Sequence, residues 1–353
     1  MRARAIRCPT RSMTPTALLT VLPAFLILTR WPAALLTLIR RAGLLLASCL
    51  VSSVFAAESP TGLLWHNNYS LDLKAGVQVS PLDGSKPVII TPQSDMDVSV
   101  WPDGRVVAVT KPDIYKRITS LVVMEVATAR PLHNLVLDGY VRELAPSPVS
   151  RELVKLSQGE SPSSPYEELV MDLTTQKPRY RVASDDYFAW MPDGRFMLIN
   201  LKTGLMRIAQ LDDPREQVVG RLTLPPGRAM GGFLISPTGT EFIMKLPLRN
   251  SVPREADLWI GRLDGSRFEQ LTQVRALGSA LWSPDGRYVA YTVNTGSICS
   301  GWGCIGGCDQ YFTRATRRAV KGLDGTPGSE RFEVRNRFGQ MQGLGCEVLA
   351  WTR

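Results

Sequence analysis

Histidine is almost missing from this chain: 353 residues hold two, His66 and His133. They are far apart in strand-like runs, so no histidine cluster can hold a metal, and both read as structural. No Gly-x-Ser-x-Gly elbow occurs, which excludes the nucleophile of an α/β-hydrolase domain. No Gly-Lys-Ser/Thr phosphate loop occurs either, nor a Cys-x-x-Cys-His haem attachment. No cofactor is expected. Acid is lacking altogether from residues 1–57, which carry seven arginines (Arg2, Arg4, Arg7, Arg11, Arg30, Arg40, Arg41). They account for seven of the nine net charges and leave +2 on the rest, so the remainder is nearly neutral and a nucleic-acid partner is not expected. With 44% apolar and 21% charged residues the chain is globular, not disordered.

The acid-free start reads as targeting. "IRRAGLLLASCLVSSVFAAES" gives Arg40–Arg41, a charge-free apolar run, and small residues before Glu58. That is the order of a secretory signal, with cleavage near Ala56 or Ala57. Leu46-Ala47-Ser48-Cys49 also fits a lipoprotein signal acylated at Cys49, although the apolar run continues past it. Upstream, "SMTPTALLTVLPAFLILT" has 18 uncharged residues and two prolines. It reads either as sequence ahead of the true start or as an extra membrane anchor. The expected division is therefore 1–57 as a targeting segment and 58–353 as one exported domain. Its only link to the membrane would be the N-terminal segment, if uncleaved or lipidated.

The domain repeats. Pro102 in "VWPDGR", Pro148 in "APSPVSRE", Pro192 in "WMPDGR", Pro237 in "ISPTGT" and Pro284 in "WSPDGR" follow one another at 46, 44, 45 and 47 residues. In each copy a strand arrives, Pro sets φ for a tight corner, and Gly supplies the left-handed residue that lets a second strand return. "ADLWIGRLDGS" (256–266) and "FEQLT" (268–272) add a third and a short fourth strand. Four strands in about 45 residues is one β-propeller blade.

"DLWIGRLDGSRFEQLTQVRALGSALWSPDGRYVAYT" resembles the TolB-type propeller repeat, a D-G turn and Leu-Thr pair followed by Trp-Ser-Pro-Asp-Gly-Arg. The resemblance is good at 98–110 and 188–200 and weak at 144–157, where "SPVSRE" lacks Asp and Gly. It implies a non-enzymatic binding module of the bacterial cell envelope, since TolB proteins dock a peptidoglycan-associated lipoprotein. The chain departs from TolB in having only residues 58–97 ahead of its first corner, where TolB carries a separate α/β domain. No TolB contact residue transfers.

The ends predict how the ring closes. "EVLAWTR" stops with Trp351 where other copies reach their proline corner, while residues 62–91 supply three strand-like runs without such a corner. Together they make a sixth blade, giving an all-β, six-bladed propeller of four-stranded antiparallel blades. Joining the ends also hides two strand edges. Four cysteines remain in the domain, Cys299, Cys304, Cys308 and Cys346. In an exported chain they read as two disulfides, three of them in an insertion at 295–310 of blade five. The x4 and x3 spacing departs from the CxxC pairs of zinc sites, and no metal site is expected.

Connections between second and third strands read as elaborated: "KPDIYKRITS", "QGESPSSPYE", "LPLRNSVPREAD" and the insertion. The opposite face reads as compact turns. An envelope protein partner is therefore expected on the elaborated face, at Tyr115, Lys116, Arg117, Arg249, Arg254 and Trp302. No residue is assigned as catalytic. The alternative is a channel-site hydrolase of the calcium-dependent lactonase type, which needs acids converging on the axis. The first strands "DVSVW", "YFAWM", "GGFLI" and "GSALW" offer mainly apolar groups, and Asp185-Asp186 and Asp212-Asp213 read as turn residues.

Overall fold

The computed structural model describes residues 60–68, 76–90, 97–250, 255–274, 277–294, 298–300, 303–305, 308–321, 327–335, 339–344 and 348–353. The chain divides at Ser59, and residues 1–57, expected to be a targeting segment, lie with Cys49 outside the described residues. Residues 60–353 form six blades of four antiparallel strands in a propeller ring.

The chain enters on the closing blade with β1 (Leu63–Asn68), β2 (Gly76–Pro81) and β3 (Val88–Ile89). Blade one is β4 (Asp97–Val100), β5 (Val106–Asp113), β6 (Ile118–Glu125) and β7 (Pro131–Asp138). Blade two is β8 (Tyr140–Pro146), β9 (Leu153–Gly159), β10 (Glu167–Asp172) and β11 (Lys177–Arg181). Blade three is β12 (Asp186–Trp190), β13 (Phe196–Asn200), β14 (Leu205–Gln210) and β15 (Asp213–Arg221). Blade four is β16 (Phe233–Ile235), β17 (Glu241–Pro247), β18 (Ala256–Arg262) and β19 (Phe268–Gln270). Blade five is β20 (Leu277–Trp282), β21 (Tyr288–Asn294), β24 (Cys308–Arg314) and β25 (Glu330–Arg331), with the hairpin β22 (Ile298–Ser300) and β23 (Gly303–Ile305) between its second and third strands. A second hairpin, β26 (Glu333–Arg335) and β27 (Met341–Gly343), precedes β28 (Val348–Thr352).

β28 is the innermost strand of the closing blade and pairs with β1 as the sequence predicts, Leu64 opposite Trp351. The Trp65 indole donates to Thr352 Oγ1 at 3.0 Å, and the Trp351 indole to the Thr61 carbonyl at 3.0 Å. The backbone runs so close here that a Cβ on Gly62 would meet the Thr352 carbonyl oxygen at 2.4 Å.

The second strand of each blade explains the core. Its neighbours cover both faces, so "VVAVT", "FMLIN" and "YVAYTV" are apolar at successive positions instead of alternating. In β5, Val106 and Ala108 pack toward blade two while Val107 and Val109 pack toward the closing blade. The same division recurs around the ring, giving one apolar seam between each adjacent pair of blades. Six seams with no free end are what closure achieves.

The corners follow the expected chemistry. Gly104, Gly194, Gly239 and Gly286 have φ between 68° and 85°, and each N–H donates to the residue before the proline turn. The Asp103, Asp193 and Asp285 carboxylates accept the amide N–H two residues on. Blade two, lacking Asp and Gly, closes a longer turn: Ser147 bonds Leu153, whereas Ser236 bonds Glu241 and Ser283 bonds Tyr288.

Two loop expectations need correction. "KPDIYKRITS" is no long loop, because β-branched residues carry β5 and β6 to a last pair at Asp113 and Ile118. The turn between them is fixed by Asp113 accepting the Tyr115 and Lys116 amides and by Arg117 at φ 55°. The opposite face is not uniformly compact either, since β24 and β25 are joined across residues 315–329.

Candidate functional site

First strands line the axis of a propeller, so the two ends of the channel are where the blades converge. On the corner face the mouth is a cavity of about 470 Å³. Five of the six blades bring prolines or tryptophans to it at equivalent turns: Pro102, Pro148, Pro192 with Trp190, Pro237, and Pro284 with Trp282; Trp351 comes from the closing blade. The indole N–H groups point away from it. Trp190 donates to the Ala145 carbonyl at 3.0 Å and Trp282 to the Leu234 carbonyl at 3.1 Å, each in the preceding blade. What faces the mouth is therefore mostly ring carbon, with Asp103, Ser236 and Arg353 as the polar members.

At the other end, on the loop face, a smaller pocket of about 260 Å³ lies between blades two, four and five. Here the first strands are irregular. β8 is bulged between Val141 and Glu143, and β20 between Leu277 and Ala280. A bulge re-aims side chains, and these leave Arg142, Glu143 and Ser279 exposed. Lys245 of β17 enters the same pocket, its Nζ donating to the Gly278 carbonyl at 3.0 Å. Burial pushes the Lys245 ammonium below the usual lysine range. Glu143 in turn accepts from Lys155 at 3.2 Å, and Lys155, 4% exposed, also pairs with Glu168 at 3.1 Å. Sequence reasoning missed Glu143 and Lys245. The charged pair Arg142-Glu143 inside a first strand was the available signal.

The proposed contact residues do not form one patch. Tyr115 is 94% exposed at the β5–β6 turn, beside Lys116, which pairs with Asp113, and Arg117. Arg249 follows β17 and donates from Nε to the Arg228 carbonyl at 3.0 Å. Blades one and four lie opposite each other in a ring of six, so these two groups are separated by the channel. Arg254 and Trp302 lie outside the described residues, as do Cys346 and the side chains of Cys299, Cys304 and Cys308. The backbone of the insertion is a hairpin that sets Cys299 opposite Cys304. Among the described residues there is no disulfide.

The remaining candidates have structural partners. His66 shares a hydrogen bond with Ser80 Oγ at 2.9 Å, and His133 meets Glu152 at 2.8 Å across the first seam. Asp186 is buried against Arg207 and Asn200, and Asp185 takes Lys202 at 2.7 Å. Asp212 pairs with Arg179, and hydrogen bonds from Arg215 hold the half-buried Asp213 carboxyl at about 2. Among the described residues no group of three His, Cys, Asp or Glu side chains could hold a metal ion.

No protein-family model matches the sequence, and neither does any curated protein. Among solved structures the chain is similar to TolB from Acinetobacter baumannii, at 14% identity over 80% of this chain and 71% of that one, with a TM-score of 0.53. It is also similar to putative TolB from Agrobacterium tumefaciens, at 14% identity over 83% and 93%, with a TM-score of 0.49. At such identity the first likeness is one of architecture, and the fold is that of a TolB-like six-bladed β-propeller.

Proposed function

We propose that this chain is an exported, non-catalytic propeller that holds a protein partner in the bacterial cell envelope, seated on the corner-face mouth. One observation carries the reading: prolines and tryptophans from around the ring converge on a cavity with few polar groups. Proline has no N–H and these indoles have spent theirs, so the wall rewards an inserted apolar or aromatic side chain. Its polar members are engaged in the corners: Asp103 accepts the Arg105 amide, and Ser236 bonds Thr238 and the Glu241 amide, so neither is paired as a base with a nucleophile. The TolB-like architecture and the signal-like start support the same reading. The loop face, through Tyr115, is the competing seat.

The test is crosslinking of the exported protein in its native host, followed by recovery and identification of the bound protein. Pro102→Glu with Pro237→Glu changes two exposed corner positions and costs the fold about 1 kcal/mol each through lost rigidity. This double variant should lose the partner, and Tyr115→Ala should keep it. Loss in Tyr115→Ala alone would move the seat to the loop face. A specific partner captured equally by all three proteins would defeat both seats, and no partner at all would defeat the binding role.

A further inference from the structure

The loop-face pocket holds an ammonium, Lys245, that forms no ion pair among the described residues. Lys245 is half-buried, and among the described residues its hydrogen bond goes to a neutral carbonyl, that of Gly278. Among the described residues it has no carboxylate partner, although the neighbouring buried lysine, Lys155, has two. An ammonium drawn out of water is costly unless an opposite charge meets it. The depressed affinity of Lys245 for its proton reflects that uncompensated burial.

The channel is also opened around this lysine. Gly232 is exposed at the entrance to β16, and a Cβ there would meet nothing within 4 Å. Gly278 lies in the β20 bulge, where a Cβ would press on Thr292 at 2.9 Å. Phe233, Ile243 and Leu258 supply an apolar wall. Glu143 lies across the pocket as its lining carboxylate, 61% exposed and paired with Lys155 at 3.2 Å.

We propose that this pocket binds a small monocarboxylate with an apolar body, its carboxylate on Lys245 Nζ and its carbon skeleton against Phe233 and Ile243. A second carboxylate would face Glu143 and be repelled, so dicarboxylates are rejected. The volume of about 260 Å³ accommodates roughly eight or nine non-hydrogen atoms, taking ~30 Å³ for each as in liquid water. A ligand of that size reaches millimolar affinity at ordinary efficiency per atom. The site is at the opposite end of the channel from the proposed protein seat and stands whether or not that seat is correct.

The probe is 4-methylpentanoate, titrated calorimetrically into the full domain, with glutarate as the dicarboxylate control. Saturable binding at millimolar concentration or tighter is expected, with glutarate at least about tenfold weaker. Lys245→Met removes the charge at nearly constant shape and should weaken binding by about tenfold or more, the usual worth of a charge-assisted hydrogen bond. Gly232→Leu fills the open channel without backbone conflict and should abolish binding while leaving the melting temperature within a few degrees. The proposal is overturned by the absence of saturation up to about 10 mM, by equal affinity for glutarate, or by a folded Gly232→Leu or Lys245→Met protein that binds as the parent does.

Discussion

Ring closure makes the last strand responsible for the whole domain, and Trp351→Ala measures how much. Trp351 is 6% exposed, sits edge-on to Phe332 with ring centroids 5.3 Å apart, and donates to the Thr61 carbonyl. It belongs to the seam between blade five and the closing blade, with Leu64, Tyr288 and Val348. Truncating a buried tryptophan costs about 3–5 kcal/mol once the cavity is included. Domain stabilities are about 5–15 kcal/mol, so roughly a fifth of the total or more is at stake. At about 2–4 °C per kcal/mol for chains of this order, the melting temperature should fall by roughly 6–20 °C. Val218→Ala, on the outer strand of blade three and 60% exposed, is the control and should move stability by at most ~0.5 kcal/mol. Differential scanning calorimetry on both proteins decides it, with amide exchange at Trp65 as a local reporter. If Trp351→Ala melted within about 1 kcal/mol of the control, β28 would be an added edge and the ring would not depend on it.

Two further outcomes follow from local geometry. Gly204 and Gly84 both have positive φ, at 68° and 80°, and alanine in either should cost about 1–2 kcal/mol for that conformation. A Cβ on Gly204 would also meet the Leu222 carbonyl oxygen at 2.1 Å, while Gly84 has open space, so urea denaturation should show Gly204→Ala as clearly the worse; equal costs would contradict the turn geometry. Burial pushes the Tyr291 hydroxyl up to about 12 from 10.0, so the folded state holds that proton more tightly than the unfolded chain. Its contribution is complete below pH 10 and is lost as pH rises toward about 12, amounting to about 2–3 kcal/mol. Urea midpoints across that range should fall more steeply for the parent than for Tyr291→Phe, and identical slopes would refute the assignment.

The seams and corners were legible because they obey periodic rules. A second strand apolar at every position, a Pro-Asp-Gly corner and a tryptophan before it each have one mechanical solution, and repetition at 44 to 47 residues removes the remaining ambiguity. The closing blade was legible by subtraction, since Trp351 ended a copy that lacked its return strands. Loop lengths were less legible. The composition of "KPDIYKRITS" suggests a loop, but the cross-strand ladder from Val106 to Asp113 overrides it, because each added pair satisfies backbone groups at the cost of one more extended residue. The channel was the least legible part. A bulge shifts register by one residue and reverses which side chains reach the axis. In "YVRELAP" only the charged pair Arg142-Glu143 hints at it, and nothing in "LGSALW" announces where it falls.

That blindness is itself informative about where function can reside in this ring. Positions that keep the repeat are committed to seams: Val154 and Leu156 of β9 face blade one, and replacing either would open a cavity between sheets. Such positions can offer a ligand their apolar carbon but cannot be replaced to suit it without loss of stability. Departures from the repeat carry no such duty. Blade two lacks the Asp-Gly corner and is bulged at Glu143; blade five carries the insertion and is bulged at Gly278. Both lie on the loop-face pocket, opposite one another across the axis, with Lys245 from the blade adjacent to blade five. At the bulges Glu143, Gly278 and Ser279 are exposed on the loop-face pocket and add nothing to a seam. Bulges occur elsewhere in the ring as well. Those of β8 and β20 are the ones that bring exposed residues to the loop-face pocket, beside an ammonium that has no carboxylate partner among the described residues, and that is where the proposed ligand would bind.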